Sequence, residues 1–348
     1  MATGPHDAAD AAAEIDAAMQ IAIAAAESAR GFTSPNPPVG AVILDKAGAI
    51  AGVGMTQPPG GPHAEVVALR EAGAAAKNGT AVVTLEPCNH YGRTPPCSQA
   101  LIDAGIRRVF YAVGDPNPEA AGGARTLETA GIRVLGGVRA DDVERGSLRA
   151  WLHRQRTGQP LITWKYAATL DGKSAAADGT SQWITGPAAR ARVHAERAKL
   201  DAIIVGTGTV LSDDPWLTAR LPDGSLAAHQ PVRIVVGTRE IPTAAKVLDD
   251  SAPTVVLRTQ DLDEVAAAIA DYTDVQLEGG PTLAGAFLAS RRIDRIQAYL
   301  APLLLGAGTA AVVDAGVGTM ADAHRFEMES VETIGTDMLL TLGSTGTI

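Results

Sequence analysis

The sequence predicts two α/β domains in succession. The chain has 348 residues, 46% of them hydrophobic, enough for about two separate cores. Short apolar runs alternate with helical patterns in both halves, which reads as strand and helix in turn. The pattern breaks once, at Thr157-Gly158-Gln159-Pro160, and restarts. The expected division is a first domain at 1–150, a linker at 151–160 and a second domain at 161–348.

Residues 8–30 are alanine-rich, with Ile15, Met19, Ile23 and Ala26 at helical spacing and Gly31 as a stop, so the chain opens on a helix whose first few residues are expected to be disordered. Apolar runs at 41–44 and 51–54 flank Asp45-Lys46-Ala47-Gly48, a hairpin signal. Pro62 then opens a helix through Val66, Val67 and Leu69. A strand at 81–85, a helix at 98–104, a strand at 108–113 and a helix at 141–155 complete the first set. The second set comprises strands at 161–166, 202–205, 232–236, 254–257, 275–277 and 296–300, with helices between them, one following Gly186-Pro187.

Composition narrows the function classes. Residues 1–150 carry 12 basic against 16 acidic side chains and the rest 17 against 23, for a net charge of −10. Neither half has the basic excess that non-specific nucleic-acid binding requires. No run of eighteen apolar residues and no basic-then-apolar leader is present, so no membrane role and a cytoplasmic address are expected. Residue order leaves homo-oligomerisation open.

The only two cysteines, Cys88 and Cys97, lie downstream of His63-Ala64-Glu65. One imidazole and two thiolates suit zinc, and three protein ligands leave a fourth position for water, which the ion acidifies. His63, Cys88 and Cys97 are the predicted ligands. Glu65, two residues after the histidine, is the predicted proton carrier, as in zinc deaminases acting on nucleobases. Side chains two apart on a regular helix diverge by roughly 200°, so His63 and Glu65 can share a centre only if it lies off the helix end. A structural zinc clip completed by His90 and a Cys88–Cys97 disulfide in a secreted protein are the alternatives. Asn36, between two prolines, presents an amide able to donate to and accept from a pyrimidine edge, or marks a plain Asn turn.

The eight residues between the cysteines exceed the usual two. With Thr84-Leu85-Glu86-Pro87-Cys88, Gly92-Arg93-Thr94-Pro95-Pro96-Cys97, Thr33 to Gly40 and Val113-Gly114-Asp115-Pro116-Asn117-Pro118, the first half resembles the deaminase half of the bifunctional riboflavin-biosynthesis deaminase/reductase. Asn89 and Tyr91 stand where that family commonly shows Ser and His, and Ala41 where Cys is frequent. Thr180 to Pro187 and Val205 to Pro215 resemble the reductase half, so the likeness covers roughly residues 15–315. It implies a cytidine-deaminase-like α/β/α sandwich followed by a dihydrofolate-reductase-like α/β domain. The implied chemistry is zinc-dependent removal of the 2-amino group of 2,5-diamino-6-(5-phosphoribosylamino)pyrimidin-4(3H)-one, then NADPH-dependent reduction of ribosyl to ribityl. Beside the cysteine motif, Glu86 and His90 are candidates to orient the small-molecule substrate or its ribosyl phosphate.

By the same resemblance, Ala167, Trp183, Thr209, Asp213, Thr238 and the turn Gly280, Pro281, Thr282, Leu283, Ala284, Gly285 and Ala286 would contact NADPH, and Ser181, Arg197, Leu217, Arg220 and Glu278 the phosphoribosyl substrate. Physical reasons run alongside. Glycines after strand 275–277 let a pyrophosphate approach backbone N–H groups, and guanidinium binds phosphate through paired donors. Lys165 and Glu278 are the expected proton-delivering groups. Other rivals are a zinc aminohydrolase acting on a free nucleoside or tRNA base and a non-enzymatic zinc-bearing assembly module.

Overall fold

A computed structural model describes residues 5–91 and 95–344. The first few residues and Gly92-Arg93-Thr94 of the cysteine motif lie outside the described residues. The chain divides after Gly158 into two units, each with its own sheet.

The first unit runs α1 (Pro5–Ala29), β1 (Gly40–Leu44), β2 (Ile50–Met55), α2 (Ala64–Ala72), β3 (Thr80–Leu85), α3 (Cys97–Asp103), β4 (Arg108–Val113), α4 (Gly123–Thr129), β5 (Arg133–Leu135), α5 (Ala140–Arg145) and α6 (Arg149–Thr157). Its sheet has the order β2-β1-β3-β4-β5, with β1 antiparallel to both neighbours and β3, β4 and β5 parallel. The hairpin closes as the sequence suggests: the Asp45 carboxylate accepts from the Ala47 and Ala49 N–H groups.

Small residues set how closely the helices lie on this sheet. A Cβ on Gly52 would fall 2.3 Å from the Ala68 carbonyl oxygen, and one on Gly54 2.2 Å from that of Ala64. The glycines thus receive the ridge of buried alanines on α2, Ala64, Ala68 and Ala72. Gly40 admits α1 in the same way, its missing Cβ lying 1.9 Å from the Ala22 carbonyl oxygen. Residues paired across a ladder share a face, and Gly54 pairs with Ala41 whereas Gly40 pairs with Met55. Helices α1 and α2 therefore cover opposite faces, giving the expected α/β/α sandwich, with Met19, Val42, Ile43, Val82 and Leu101 buried in one core.

Two expectations need correction. The single helix over 141–155 is two, because the chain leaves helical geometry at Gly146 (φ −103°, ψ −122°). Residues 151–157 of the expected linker belong to α6, and Trp151 and Leu152 are buried in the first core. Apolar periodicity was a better guide there than the Gly-Gln-Pro stop that follows it. Elements α4 and β5, of seven and three residues, are too short to show a clear period and went unpredicted.

The second unit runs β6 (Leu161–Thr169), β7 (Lys173–Ala175), α7 (Pro187–Arg197), β8 (Ala202–Gly206), α8 (Thr207–Asp213), β9 (Val232–Val236), β10 (Thr254–Leu257), α9 (Leu262–Ile269), β11 (Asp274–Leu277), α10 (Pro281–Ala289), β12 (Arg295–Ala301), β13 (Thr309–Ala310), β14 (Phe326–Ile334) and β15 (Asp337–Ser344). Its large sheet has the order β10-β9-β8-β11-β6-β12-β15-β14. The first six strands are parallel, and β15 and β14 extend the sheet antiparallel. The chain builds outward from β8 to β10 and then returns to insert β11 between β8 and β6. That reversal opens a crevice at the carboxyl ends of the strands, where open α/β sheets bind ligands. Ile204, Ile234, Leu277 and Phe287 form the core beneath it. Strands β14 and β15 escaped prediction: in β14 the apolar residues are interspersed with three Glu and are largely exposed, whereas the apolar run Met338-Leu339-Leu340 of β15, with Leu339 buried, went unread. Among the described residues no helix is long and apolar enough to cross a membrane.

Gly54→Val should displace α2, because its side chain cannot coexist with the Ala64 carbonyl. The expected outcome is a loss of about 1–3 kcal/mol in urea denaturation of the first unit, together with less zinc per purified chain than in the unsubstituted protein.

Candidate functional site

The first site forms beyond the carboxyl end of β3, the central strand of the five-stranded sheet. His63 is the N-cap of α2 with extended backbone (φ −72°, ψ 162°), whereas Glu65 lies in the first helical turn. That change of geometry answers the divergence of side chains two apart, since His63 stands just outside the helix. Cys88 follows β3, and Cys97 is the first residue of α3, held close by its own N–H, which donates to Cys88 Sγ at 3.4 Å.

His63 Nδ1 lies 3.6 Å from Cys88 Sγ and 3.3 Å from Cys97 Sγ, and the three ligand atoms fall within 4.8 Å of one another. Tetrahedral zinc with its usual bond lengths separates such atoms by about 3.6–3.8 Å, so the donor set fits. Among the described residues neither Glu65 nor His90 belongs to the cluster, and both cysteines are free thiols. The structure therefore supports neither the clip completed by His90 nor the disulfide. The Cys97 thiol donating to Cys88, with His63 beside it, holds Cys88 well below the ordinary thiol range, while the same pairing and burial push Cys97 up. Hydrogen bonding to Cys88 raises His63.

Glu65 is 4% exposed. Burial and the Cys88 charge push its carboxyl up to about 7, against the pull of His63. A carboxyl with that pKa can both take and give a proton near neutrality.

The ligands open into a cavity of about 250 Å³. Asn36, expected as a base-reading amide, is on its rim, and His90, Asp115 and Asn117 line it. Glu86 also touches the cavity, but its carboxylate accepts from the backbone N–H groups of Asp115, Gly122 and Ala124. It ties the end of β3 to the loop after β4 and the start of α4. Trp151 and Gln155 form a further wall. Sequence reasoning missed both, although their i, i+4 spacing places them on one face of a helix.

The second site lies at the carboxyl ends of β6, β8, β9 and β11. Arg197 grips Glu278 with two parallel bonds, Nε to Oε1 at 2.8 Å and Nη2 to Oε2 at 2.7 Å, and gives a third to the Thr218 carbonyl. Lys165 Nζ stands 3.8 Å from the same carboxylate, and Gln276 Nε2 donates to it at 2.8 Å. Burial opposes the Glu278 charge, but Arg197 and Lys165 outweigh it and hold the carboxyl well below the usual carboxylate range. Burial lowers Lys165, although Glu278 pulls it back up. Three of the five Arg197 donors are committed, so this arginine fixes Glu278 before it can offer anything to a phosphate. Gln276 was missed; it faces the same way as Glu278 by the strand period of two.

Other predicted residues gather nearby in smaller groups. Ser181 Oγ approaches Asp213 Oδ1 at 3.5 Å. A Cβ on Gly280 would fall 3.0 Å from Thr209 Oγ1, so the N-cap of α10 and the first turn of α8 come together there. Ala167 is half-buried on β6, Thr238 is exposed after β9, and Trp183, 68% exposed, lies under the Arg190 guanidinium at 4.5 Å. Leu217 is buried with φ 55°, and Arg220 lies over the Trp216 ring and donates to the Gly224 carbonyl. The stretch from Gly280 to Ala286 is a helix N-cap and its first turns rather than a turn. Within it Pro281 and Leu283 are half-buried, and Thr282 and Ala286 are exposed. Ala284 and Gly285 are buried, and Gly285 is there for packing, since a Cβ would fall 1.9 Å from the Val313 carbonyl oxygen.

Comparison with known proteins follows this division. Residues 13–113 match the cytidine and deoxycytidylate deaminase zinc-binding region, and residues 160–340 the RibD C-terminal domain. The riboflavin biosynthesis protein RibD of Mycobacterium tuberculosis is 58% identical over 94% of this chain and 97% of its own length. The chain belongs to the RibD family. Solved relatives agree: RibD of Acinetobacter baumannii superposes with a TM-score of 0.84 at 38% identity, over 96% of this chain and 99% of that one. A Thermotoga maritima diaminohydroxyphosphoribosylaminopyrimidine deaminase/5-amino-6-(5-phosphoribosylamino)uracil reductase gives 0.86 at 30% identity over the same shares. Like other RibD chains, this one is a bifunctional deaminase and reductase of riboflavin biosynthesis, with a zinc-binding deaminase part and a reductase part.

Replacing Glu278 with Gln would leave Arg197 and Lys165 buried without a counter-charge, a cost of about 3–5 kcal/mol. Because the folded-state pKa of Glu278 is depressed, its contribution is complete above the unfolded value of about 4.3 and is withdrawn as pH falls below it. Thermal melts of the second unit from pH 7 to 3 should show stability falling below about pH 4, with a shallower fall in Glu278→Gln.

Proposed function

We propose that the first unit removes the 2-amino group of 2,5-diamino-6-(5-phosphoribosylamino)pyrimidin-4(3H)-one and that the second reduces the ribosyl group of the product to ribityl with NADPH. One observation carries this reading: three soft ligands converge in front of a cavity beside a buried carboxyl that is not one of them. His63, Cys88 and Cys97 hold the zinc, which when bound supplies the Lewis acidity that activates a water. Glu65 takes the proton from that water as its oxygen adds to C2, and passes it to the departing amine, so that water and aminopyrimidine become a carbonyl and ammonia. Asn36 holds the pyrimidine edge at the cavity rim, while Glu86 acts at one remove by fixing the loop that bears Asp115.

In the second unit, Ala167, Trp183, Thr209, Asp213, Thr238 and the N-terminal turn of α10 from Gly280 onward hold NADPH, which supplies the hydride. Ser181, Arg197, Leu217, Arg220 and Glu278 hold the phosphoribosyl chain. Lys165, whose pKa burial has lowered, delivers the proton that accompanies hydride addition at C1 of the opened sugar. Two thiols kept free for metal fit a reducing, cytoplasmic setting.

Glu65→Gln should retain one zinc per chain and lose about 10²–10⁴-fold in ammonia release from the diaminopyrimidine phosphate. Retained deamination would remove Glu65 from its role, and turnover of cytidine in place of that substrate would reassign the first unit. A chelator should abolish ammonia release while leaving NADPH oxidation by the already deaminated intermediate intact.

A further inference from the structure

The segment that carries Leu217 and Arg220, both assigned above to the phosphoribosyl chain, needs outside support to hold its shape. Leu217 is buried with φ 55°, a left-handed conformation that a leucine adopts at a steric cost and keeps only where its surroundings dictate it. On one side Arg233 Nη1 donates to the Trp216 carbonyl at 3.2 Å. On the other, Gln230 brackets Ala219: its Oε1 accepts from the Ala219 N–H and its Nε2 donates to the Ala219 carbonyl, both at 2.9 Å. Between these anchors lies Thr218, 1% exposed, whose hydroxyl is buried without a partner among the described residues. Its side chain does not fix it; its carbonyl does. That oxygen receives two donors from α7, Arg197 Nη1 at 3.2 Å and His194 Nδ1 at 3.0 Å.

Arg197 spends its other bonds on Glu278. The shorter tie to Thr218 therefore comes from a side chain to which no role has been given. A carbonyl only accepts, so Nδ1 must carry the hydrogen and the tautomer is fixed. His194 lies three residues before Arg197 on the same face of α7, and both reach one acceptor. Three charged groups act on the ring: Arg197 on its own helix, Glu278 after β11 and Arg220 two residues past Thr218. Burial and then Arg197 lower its pKa, outweighing the Thr218 bond and Glu278. The ring works as a neutral donor.

We propose that His194 is a positioning residue of the reductase: its Nδ1–H fixes the Thr218 carbonyl and thereby sets Leu217 and Arg220 where the phosphoribosyl substrate meets them. The inference rests on the assignment of that substrate to the second unit. Arg220 has one of its five donors committed, to the Gly224 carbonyl, and the rest are aimed at a phosphate only while the backbone two residues earlier is held. Loss of the tie should weaken the substrate while NADPH, assigned to other segments, is held as before.

Steady-state kinetics of the full chain with the deaminated intermediate and NADPH test this. His194→Ala should raise KM for the intermediate about 5–10-fold, the worth of one hydrogen bond, with kcat and the KM for NADPH within about twofold. Arg197 still holds the carbonyl in that variant, so it should fold. His194→Asn, whose side-chain N–H can reach the same oxygen, should recover most of the loss. Arg220→Ala should by itself raise KM for the intermediate, and adding His194→Ala to it should raise KM by less than about a further twofold, because both changes remove one interaction. An unchanged KM in His194→Ala, a parallel rise for NADPH, no recovery in His194→Asn, or full multiplication of the two effects would overturn the positioning role and leave the substrate assignment intact. Arg220→Ala with the KM of the unsubstituted protein would remove Arg220 from the substrate and the inference with it.

Discussion

The deaminase site depends on how near α2 comes to the sheet. Helices usually stand about 10 Å from a strand layer because side chains fill the gap, but here Gly52 and Gly54 meet a ridge of alanines and the gap closes. His63 and Glu65 sit at the end of α2, so their distance from the cysteines, which hang from β3 and α3, is set by backbone contact. Side-chain packing can relax by rotamer changes; a carbonyl resting on a glycine Cα has far less freedom. A metal site needs ligand atoms placed to within a few tenths of an ångström, and this contact provides that tolerance.

The reductase part is organised by a different economy. Glu278 is buried with Arg197 and Lys165, and its charge survives because two cations and the Gln276 amide surround it. A buried carboxylate so neutralised leaves Lys165 as the softer member: burial favours its neutral form while Glu278 favours its charged one. Behind this cluster, Arg233 on β9 is fully buried and donates to the Trp216 carbonyl as well as to the Asp249 carboxylate and main chain. It thereby anchors the loop carrying Leu217 and Thr218, whose carbonyl receives Arg197.

Much of this was legible in the residue order. The zinc ligands and Glu65 could be read because metal chemistry restricts residue type and spacing, and because only two cysteines compete for the role. The strands of both cores could be read from continuous apolar runs such as 81–85 and 232–236. What could not be read arises from three-dimensional convergence. Gln276 has meaning only once Glu278 is known to be buried beside it. Glu86 looked like a substrate ligand because a carboxylate beside a cysteine motif suggests chemistry, yet three backbone N–H groups claim it. Gly285 looked like part of a phosphate turn and instead fits against the Val313 carbonyl.

Helix α6 carries one more implication. It comes after every motif by which the deaminase half can be recognised, yet Trp151 and Gln155 line the deaminase cavity, and Trp151 and Leu152 complete its core. A gene fragment cut where the recognisable motifs stop would encode a sandwich missing one side of its substrate chamber. A self-sufficient deaminase taken from this chain must run through Gly158, where the first compact unit ends.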